Sequence, residues 1–155
     1  MSQTGKWQLA QVNIGRIRAP ITDPLMAEFA AALAEINALA EASPGYVWRL
    51  QDASGDATSI QAFPDPLLLV NISVWTDVAS LQIYTYRSVH GRFFGRRQEW
   101  FEKHAGAHLA LWWLPAGHIP TLAEAKERLA TLDKQGPSAA AFTFRTAYPA
   151  PADCS

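Results

Sequence analysis

The chain has 155 residues, 49% hydrophobic and 17% charged, with a formal net charge of -1. That length suits one domain with its own core, and the near-neutral balance gives no electrostatic case for nucleic acid. A single cysteine, Cys154, leaves no internal disulfide. No run approaches the ~18 apolar residues of a membrane span, and no N-terminal run reads as a signal peptide, so a cytoplasmic protein is expected.

In chain order, Trp7 to Ile14 predicts a strand, with Ala10, Val12 and Ile14 on one face and Gln11 and Asn13 on the other. Asp23 is an N-cap, Pro24 a first helical residue, and Leu25 to Glu41 a helix carrying Phe29, Leu33, Ile36, Leu39 and Ala40 at helical spacing. Ser43-Pro44-Gly45 stops it, and Tyr46 to Leu50 is a short strand. Asp52 to Thr58 is turn chemistry. Leu67 to Trp75 is the strongest strand: Leu68, Val70, Ile72 and Val74 share one face, while Asn71, Ser73 and Trp75 interrupt the other. Thr76 or Asp77 caps a helix beginning near Val78. Leu109 to Leu114 is a further strand. Thr121 caps a helix over Leu122 to Asp133, with Glu124 completing a capping box. Ala141 to Arg145 alternates as a last strand, and the tail from Tyr148 is expected to be flexible.

This order predicts one α+β domain over residues 1–147, with an antiparallel ferredoxin-like sheet and its helices on one face. The sheet's other face is then bare, and a homodimer is the simplest way to cover it.

The stretch from Tyr84 to His104 carries the chemistry. On helical geometry Tyr86, His90, Phe93, Arg97, Trp100 and His104 form one stripe, while Arg92, Arg96, Glu99, Glu102 and Lys103 fall opposite. Gly91 and Gly95 cost about 1 kcal/mol each relative to Ala, so a break near Gly91 would leave His90 at a helix end. Two readings stay open. The stripe is core or interface, with His90 hydrogen-bonded and Arg97 ion-paired; or it lines a site, with His90 as ligand or acid/base and Arg97 as an anion contact. HExxH, CxxC, GxGxxG, P-loop and GxSxG patterns are absent. His104 and His108 are four apart, but Gly106 between them makes a helical metal clip doubtful, and no metal is expected.

The runs WQLAQVNI, SPGYVWRL, LLLVNISVW, YRSVHGRFFGRRQEWF, HLALWWLPAGHIPTLAEAKERL and GPSAAAFTFR resemble the bacterial family known as domain of unknown function 3291. The resemblance implies a dimeric α/β barrel. That superfamily includes cofactor-free antibiotic-biosynthesis monooxygenases, haem-degrading monooxygenases and other haem enzymes, and so implies a monooxygenase-like oxidoreductase. By the same likeness, SVWTDVASLQIY matches the strand-to-helix segment of the haem degraders, with Tyr84 at their aromatic position, His90 as the haem ligand and Asn13 as their first-strand Asn. A haem site would take Tyr84, Phe93, Trp75 and Trp48 as walls and Arg97 as the propionate cation. A cofactor-free site would use His90, Asn13 and Asn71 to stabilise an anion on an aromatic ligand. The expected catalytic residues are therefore His90, Asn13 and Tyr84. The expected ligand contacts are Trp48, Asn71, Trp75, Tyr86, Phe93, Arg97 and Trp100. The competing reading from another class is a non-catalytic dimeric binding protein for an apolar or haem-like ligand.

Overall fold

Strand β1 (Trp7–Arg16) runs through the middle of an antiparallel sheet, paired with β3 (Leu68–Trp75) on one side and β4 (Leu109–Pro115) on the other. Strand β2 (Tyr46–Arg49) adds outside β3, giving the order β2-β3-β1-β4. This is the strand order of the split βαβ unit, so the fold is α+β and ferredoxin-like. The computed structural model describes residues 7–20, 22–50, 64, 65, 67–87, 97–102 and 108–150, and only the backbone of Ala34, Tyr86, Arg87, Arg97 and Gln98.

The helices start where their caps predict. Asp23 accepts from the Leu25 amide at 2.9 Å and opens a single 3-10 turn, Pro24–Met26, that leads into α1 (Ala27–Ala42). Asp77 accepts from Ser80 at 2.7 Å and opens α2 (Val78–Arg87). A short α3 (Arg97–Trp100) follows, then α4 (Leu122–Gln135), whose first turn is capped by Thr121 Oγ1 accepting from Glu124 N at 3.1 Å. The expected capping box is only half made. The Glu124 carboxylate turns instead to Trp112 Nε1 (3.0 Å) and His118 Nε2 (2.8 Å), two donors that tie β4 and the loop after it to α4.

Strand alternation divides the residues into two cores. On one face Ala10, Val12, Val70, Ile72, Val74, Ala110, Trp112 and Leu114 pack against Ala125, Leu129 and Leu132 of α4. On the other, Leu9, Trp75 and Leu111 pack against Ala40 of α1 and Leu81 of α2. Each fully buried aliphatic side chain contributes about 1.5–3 kcal/mol. The expected bare face is therefore not bare: Val70, Ile72 and Val74 are no more than 4% exposed within the single chain. The third long helix packs on the side opposite α1 and α2. Its apolar stripe was readable in the sequence, but the choice of sheet face was not.

Two further expectations change. Ala141 to Arg145 is not a strand; it meets the sheet at one reciprocal bridge, Leu111 with Phe142, each N–H to the other's carbonyl at 2.8 Å, while Ala141 bridges locally back to Ser138. The chain then leaves the edge because Phe144 and Tyr148 find apolar cover on the face occupied by Trp75 and Leu111. Tyr148, expected to begin a loose tail, is held by Trp113 Nε1 donating to its carbonyl (2.9 Å) and by its hydroxyl donating to the Pro137 carbonyl (3.3 Å). No helix among the described residues is long and apolar enough to cross a membrane.

Candidate functional site

The face of the sheet beneath α1 and α2 carries a row of polar side chains where an apolar core would be the default. Period-two alternation puts Leu9, Gln11, Asn13 and Gly15 of β1 on this face, in register with Trp75, Ser73, Asn71 and Leu69 of β3. Gln11 is the hub. Its Nε2 donates to Asn71 Oδ1 at 2.7 Å and to Ser73 Oγ at 2.8 Å, and its Oε1 accepts from Asn13 Nδ2 at 2.9 Å. Ser73 Oγ accepts a second bond, from the Trp75 indole at 2.8 Å.

Burial is graded along the row. Trp75 is fully buried, Gln11 and Ser73 are buried, Asn71 is half-buried and Asn13 is exposed. The closed end is fixed; the open end has hydrogen-bonding capacity left over. Among the described residues the Asn71 amide nitrogen and the Asn13 amide oxygen have no partner, which leaves a donor and an acceptor side by side.

Aromatic side chains stand at both ends. Trp75 stacks on Tyr84 of α2, with ring centroids 5.1 Å apart, and meets Tyr46 edge-on at 5.7 Å. The Tyr84 hydroxyl donates to the Ile36 carbonyl of α1 at 3.2 Å, and burial pushes it above its ordinary value, partly offset by the nearby Arg49 charge. Tyr84 thus holds its phenol proton and lays its ring on Trp75. At the other end Phe101 lies over Gly15, where a Cβ would come within 2.6 Å of its ring. Residues 100–102 are set there by pairing with the continuation of β1: Arg18 N donates to the Trp100 carbonyl and Glu102 N to the Arg16 carbonyl, both at 2.8 Å. Arg16 also pairs with Asp65 at 2.6 Å and with Glu102. The Leu67 amide, with Arg16, holds the Asp65 carboxyl below its ordinary range. From Leu9 to Gly15 the floor spans roughly 20 Å at ~3.3 Å per residue.

Three of the expected residues meet here: Asn13, Asn71 and Trp75, with Tyr84 against Trp75. Two stand elsewhere. Trp48 packs with the opposite core, across from Val74, because the pairing of β2 shifts register between Tyr46 and Trp48. Trp100 is buried in a third cluster with Ile17 and Met26, 5.6 Å from Phe29. His90 and Phe93 lie outside the described residues, and Tyr86 and Arg97 are described by backbone alone. Three participants were missed. Gln11 and Ser73 were visible on the right faces, but their contact spans 62 positions and needs the strand register. Arg49 was hidden by the register shift. It sits across from Ser73, is 8% exposed, and pairs through Nε with Glu41 of α1 at 2.9 Å. No group of three or more potential metal ligands occurs among the described residues.

The strand order and the helix pair beneath this row define a ferredoxin-like α+β protein. More particularly, the family model described as "Domain of unknown function (DUF3291)" matches residues 8–154, and the chain belongs to that family. No curated protein matches the sequence. Among solved structures, the chain is similar to SnoaB, a cofactor-independent oxygenase from Streptomyces nogalater, at 18% identity and a TM-score of 0.43, covering 72% of this chain and 95% of that one. A protein of unknown function from Nitrosomonas europaea shares 14% identity at a TM-score of 0.48, over 76% and 98% of the two chains. A conserved protein from Methanosarcina mazei shares 15% at 0.47, over 72% and 95%. These are likenesses of chain path; the fold assignment rests on the strand order itself.

Proposed function

We propose that the protein is a small-molecule, monooxygenase-like enzyme whose ligand lies on the polar row, between the sheet and α1 and α2. The observation that carries this reading is the buried hydrogen-bonded row of Gln11, Asn71 and Ser73, which opens at Asn13 and Asn71 with an unspent amide donor and acceptor. Burying amides costs free energy unless they are satisfied, and this network holds the Asn71 carboxamide oxygen so that its nitrogen faces outward. An electron-rich ring placed there, between the Trp75–Tyr84 stack and Phe101, would have its oxyanion stabilised by the Asn71 N–H donors. The enolate or phenolate can itself reduce oxygen. A ring CH2 becomes a carbonyl, one oxygen atom enters the product, and the other leaves as water with both hydrogens. His90 remains the proposed base that takes the ring proton.

The haem reading rests on His90 as ligand and Arg97 as propionate partner. The amides, the Ser73 hydroxyl and the Trp75 indole of the row supply no iron ligand, so the haem reading depends on His90, and no step is derived through haem. The reading as a non-catalytic binding protein is favoured by one observation: the row itself contains no titratable group. A homodimer stays in the proposal through the superfamily resemblance, since the buried face opposite α1 and α2 no longer argues for it; sedimentation of the purified chain tests it.

Oxygen uptake with a panel of hydroxylated polycyclic rings tests the reading. Catalysis is supported by uptake that falls about a hundred-fold or more in Asn71→Ala, the scale of one lost oxyanion donor, with a product that has gained one oxygen and lost two hydrogens. Saturable ring binding without uptake establishes the binding protein instead. A haemin titration with a Soret shift lost in His90→Ala would restore the haem reading.

A further inference from the structure

Arg49 is a buried cation that the polar row does not use. Its side chain is 9% exposed, and its one ion-pair partner among the described residues, Glu41, is 45% exposed and engages only Nε. A guanidinium carries five N–H donors. Among the described residues the four on the η nitrogens have no acceptor. Among the described residues the side-chain atom that is fully buried without a partner is Arg128 Nε, so the unpaired η nitrogens of Arg49 keep some access to solvent. The residue also sits on the ligand side of the sheet. The register shift after Tyr46 places Arg49 opposite Ser73, on the face of Gln11 and Asn71, and its charge acts on the Tyr84 hydroxyl across that face.

We propose that Arg49 is the specificity determinant of the site: its η nitrogens bind an acidic group on the ligand, so the protein selects aromatic anions, carboxylates above all, over neutral rings of the same shape. This rests on the reading of the polar row as a ligand site and adds the ligand's charge. Glu41 is then a positioning residue. It holds Nε from the end of α1, keeps the guanidinium plane fixed, and leaves the η edge for a forked contact with two carboxylate oxygens. Asn71 would orient the ring's own oxygen, and Arg49 would hold the acid at the β2 side of the row.

The test is calorimetric titration with 6-hydroxy-2-naphthoate and its neutral isostere 6-hydroxy-2-naphthamide (naphthoate and naphthamide for short), on wild type, Arg49→Met and Asn71→Ala. Methionine conserves much of the buried volume, and the melting curve of each variant checks folding. Wild type is expected to bind naphthoate at least about ten-fold more tightly than naphthamide, the scale of a charge-assisted hydrogen bond. Arg49→Met should bring naphthoate down to the amide's affinity and leave the amide unchanged, whereas Asn71→Ala should weaken both. Should Arg49→Met fail to fold, Glu41→Gln gives the same information. The Gln amide oxygen still accepts from Nε and keeps the guanidinium plane in place, while the competing negative charge is gone, so naphthoate should tighten several-fold with naphthamide unaffected. Equal affinities in wild type, or a preference that survives Arg49→Met, would overturn this inference while the ring site stands. An unchanged or weakened naphthoate affinity in Glu41→Gln would do the same. Absence of binding by either ring at millimolar concentration would overturn the ring site and this inference with it.

Discussion

Ser73→Ala removes one oxygen atom and leaves two buried donors without an acceptor. The Trp75 indole N–H and one Gln11 amide N–H both end on Ser73 Oγ at 2.8 Å, and neither side chain has more than 3% exposure through which water could replace it. Each orphaned donor costs about 1–3 kcal/mol, so the expected loss is about 2–5 kcal/mol once some relaxation is shared between them. For a chain of this size that lowers the melting temperature by roughly 5–15 °C. Urea unfolding followed by tryptophan fluorescence reads it directly: the midpoint should fall with an unchanged slope, since the fold is unaltered. A thermodynamic cycle isolates the bond. In a Trp75→Phe background one donor is already gone, and Ser73→Ala should cost about 1–3 kcal/mol less than in wild type. A loss below about 0.5 kcal/mol in the wild-type background, the ordinary range for a surface change, would refute the hub and with it the rigid floor on which the site depends.

Four further outcomes are expected. Gly15→Ala forces a methyl against the Phe101 ring and should cost about 1–3 kcal/mol by thermal melting, with Phe101→Leu restoring part of it. Tyr84→Phe loses the bond to the Ile36 carbonyl but keeps the stack on Trp75; a loss of about 0.5–1.5 kcal/mol with unchanged ring affinity separates its packing role from a catalytic one. Thr121→Ala removes the cap of α4 and should cost about 1 kcal/mol in urea unfolding. Burial alone would raise the Glu124 carboxyl, but the bonds from His118 and Trp112 outweigh it and hold the group below its ordinary value. Its folded value is thus lower than its unfolded one, so this contribution is complete above the unfolded value of about 4.3 and fades as pH falls through the lowered folded one. Glu124→Gln should therefore flatten the acid limb of stability against pH and leave its shape above neutrality unchanged.

Alternation made much of this legible in advance. The two faces of β1 and β3 follow from period two, so Asn13 and Asn71 could be placed on one side before any pairing was known. The caps at Asp23, Asp77 and Thr121 follow from local chemistry and form where expected. What failed was non-local. The run Ala141 to Arg145 alternates like a strand, yet the edge of β4 takes only one residue of it, and apolar cover for Phe144 and Tyr148 decides the rest. Gln11 reads as an ordinary solvent-facing polar residue until the register brings Ser73 and Asn71 to it. Trp100 looked like part of an aromatic lining, but its pairing with the continuation of β1 sends it into the cluster around Ile17 and Met26.

The irregularity in β2 has a consequence for how such a chain can vary. Along a regular strand Tyr46 and Trp48 would share one side and Arg49 would fall on the other. The single-residue slip between Tyr46 and Trp48 instead leaves Tyr46 with Trp75, sends Trp48 to Val74, and sets Arg49 opposite Ser73. Val47, at the slip, is 37% exposed and contributes little packing. Deleting it would leave Tyr46, Trp48 and Arg49 as consecutive residues opposite Trp75, Val74 and Ser73, and plain alternation would keep each on its present face. Regularising the strand with Val47 retained would do the opposite: the indole would turn to the row beside Gln11 and the guanidinium to the apolar layer beneath α4. The extra position in this four-residue strand can therefore be shed without exchanging the walls of the site, and a homologue one residue shorter there should keep both fold and ligand.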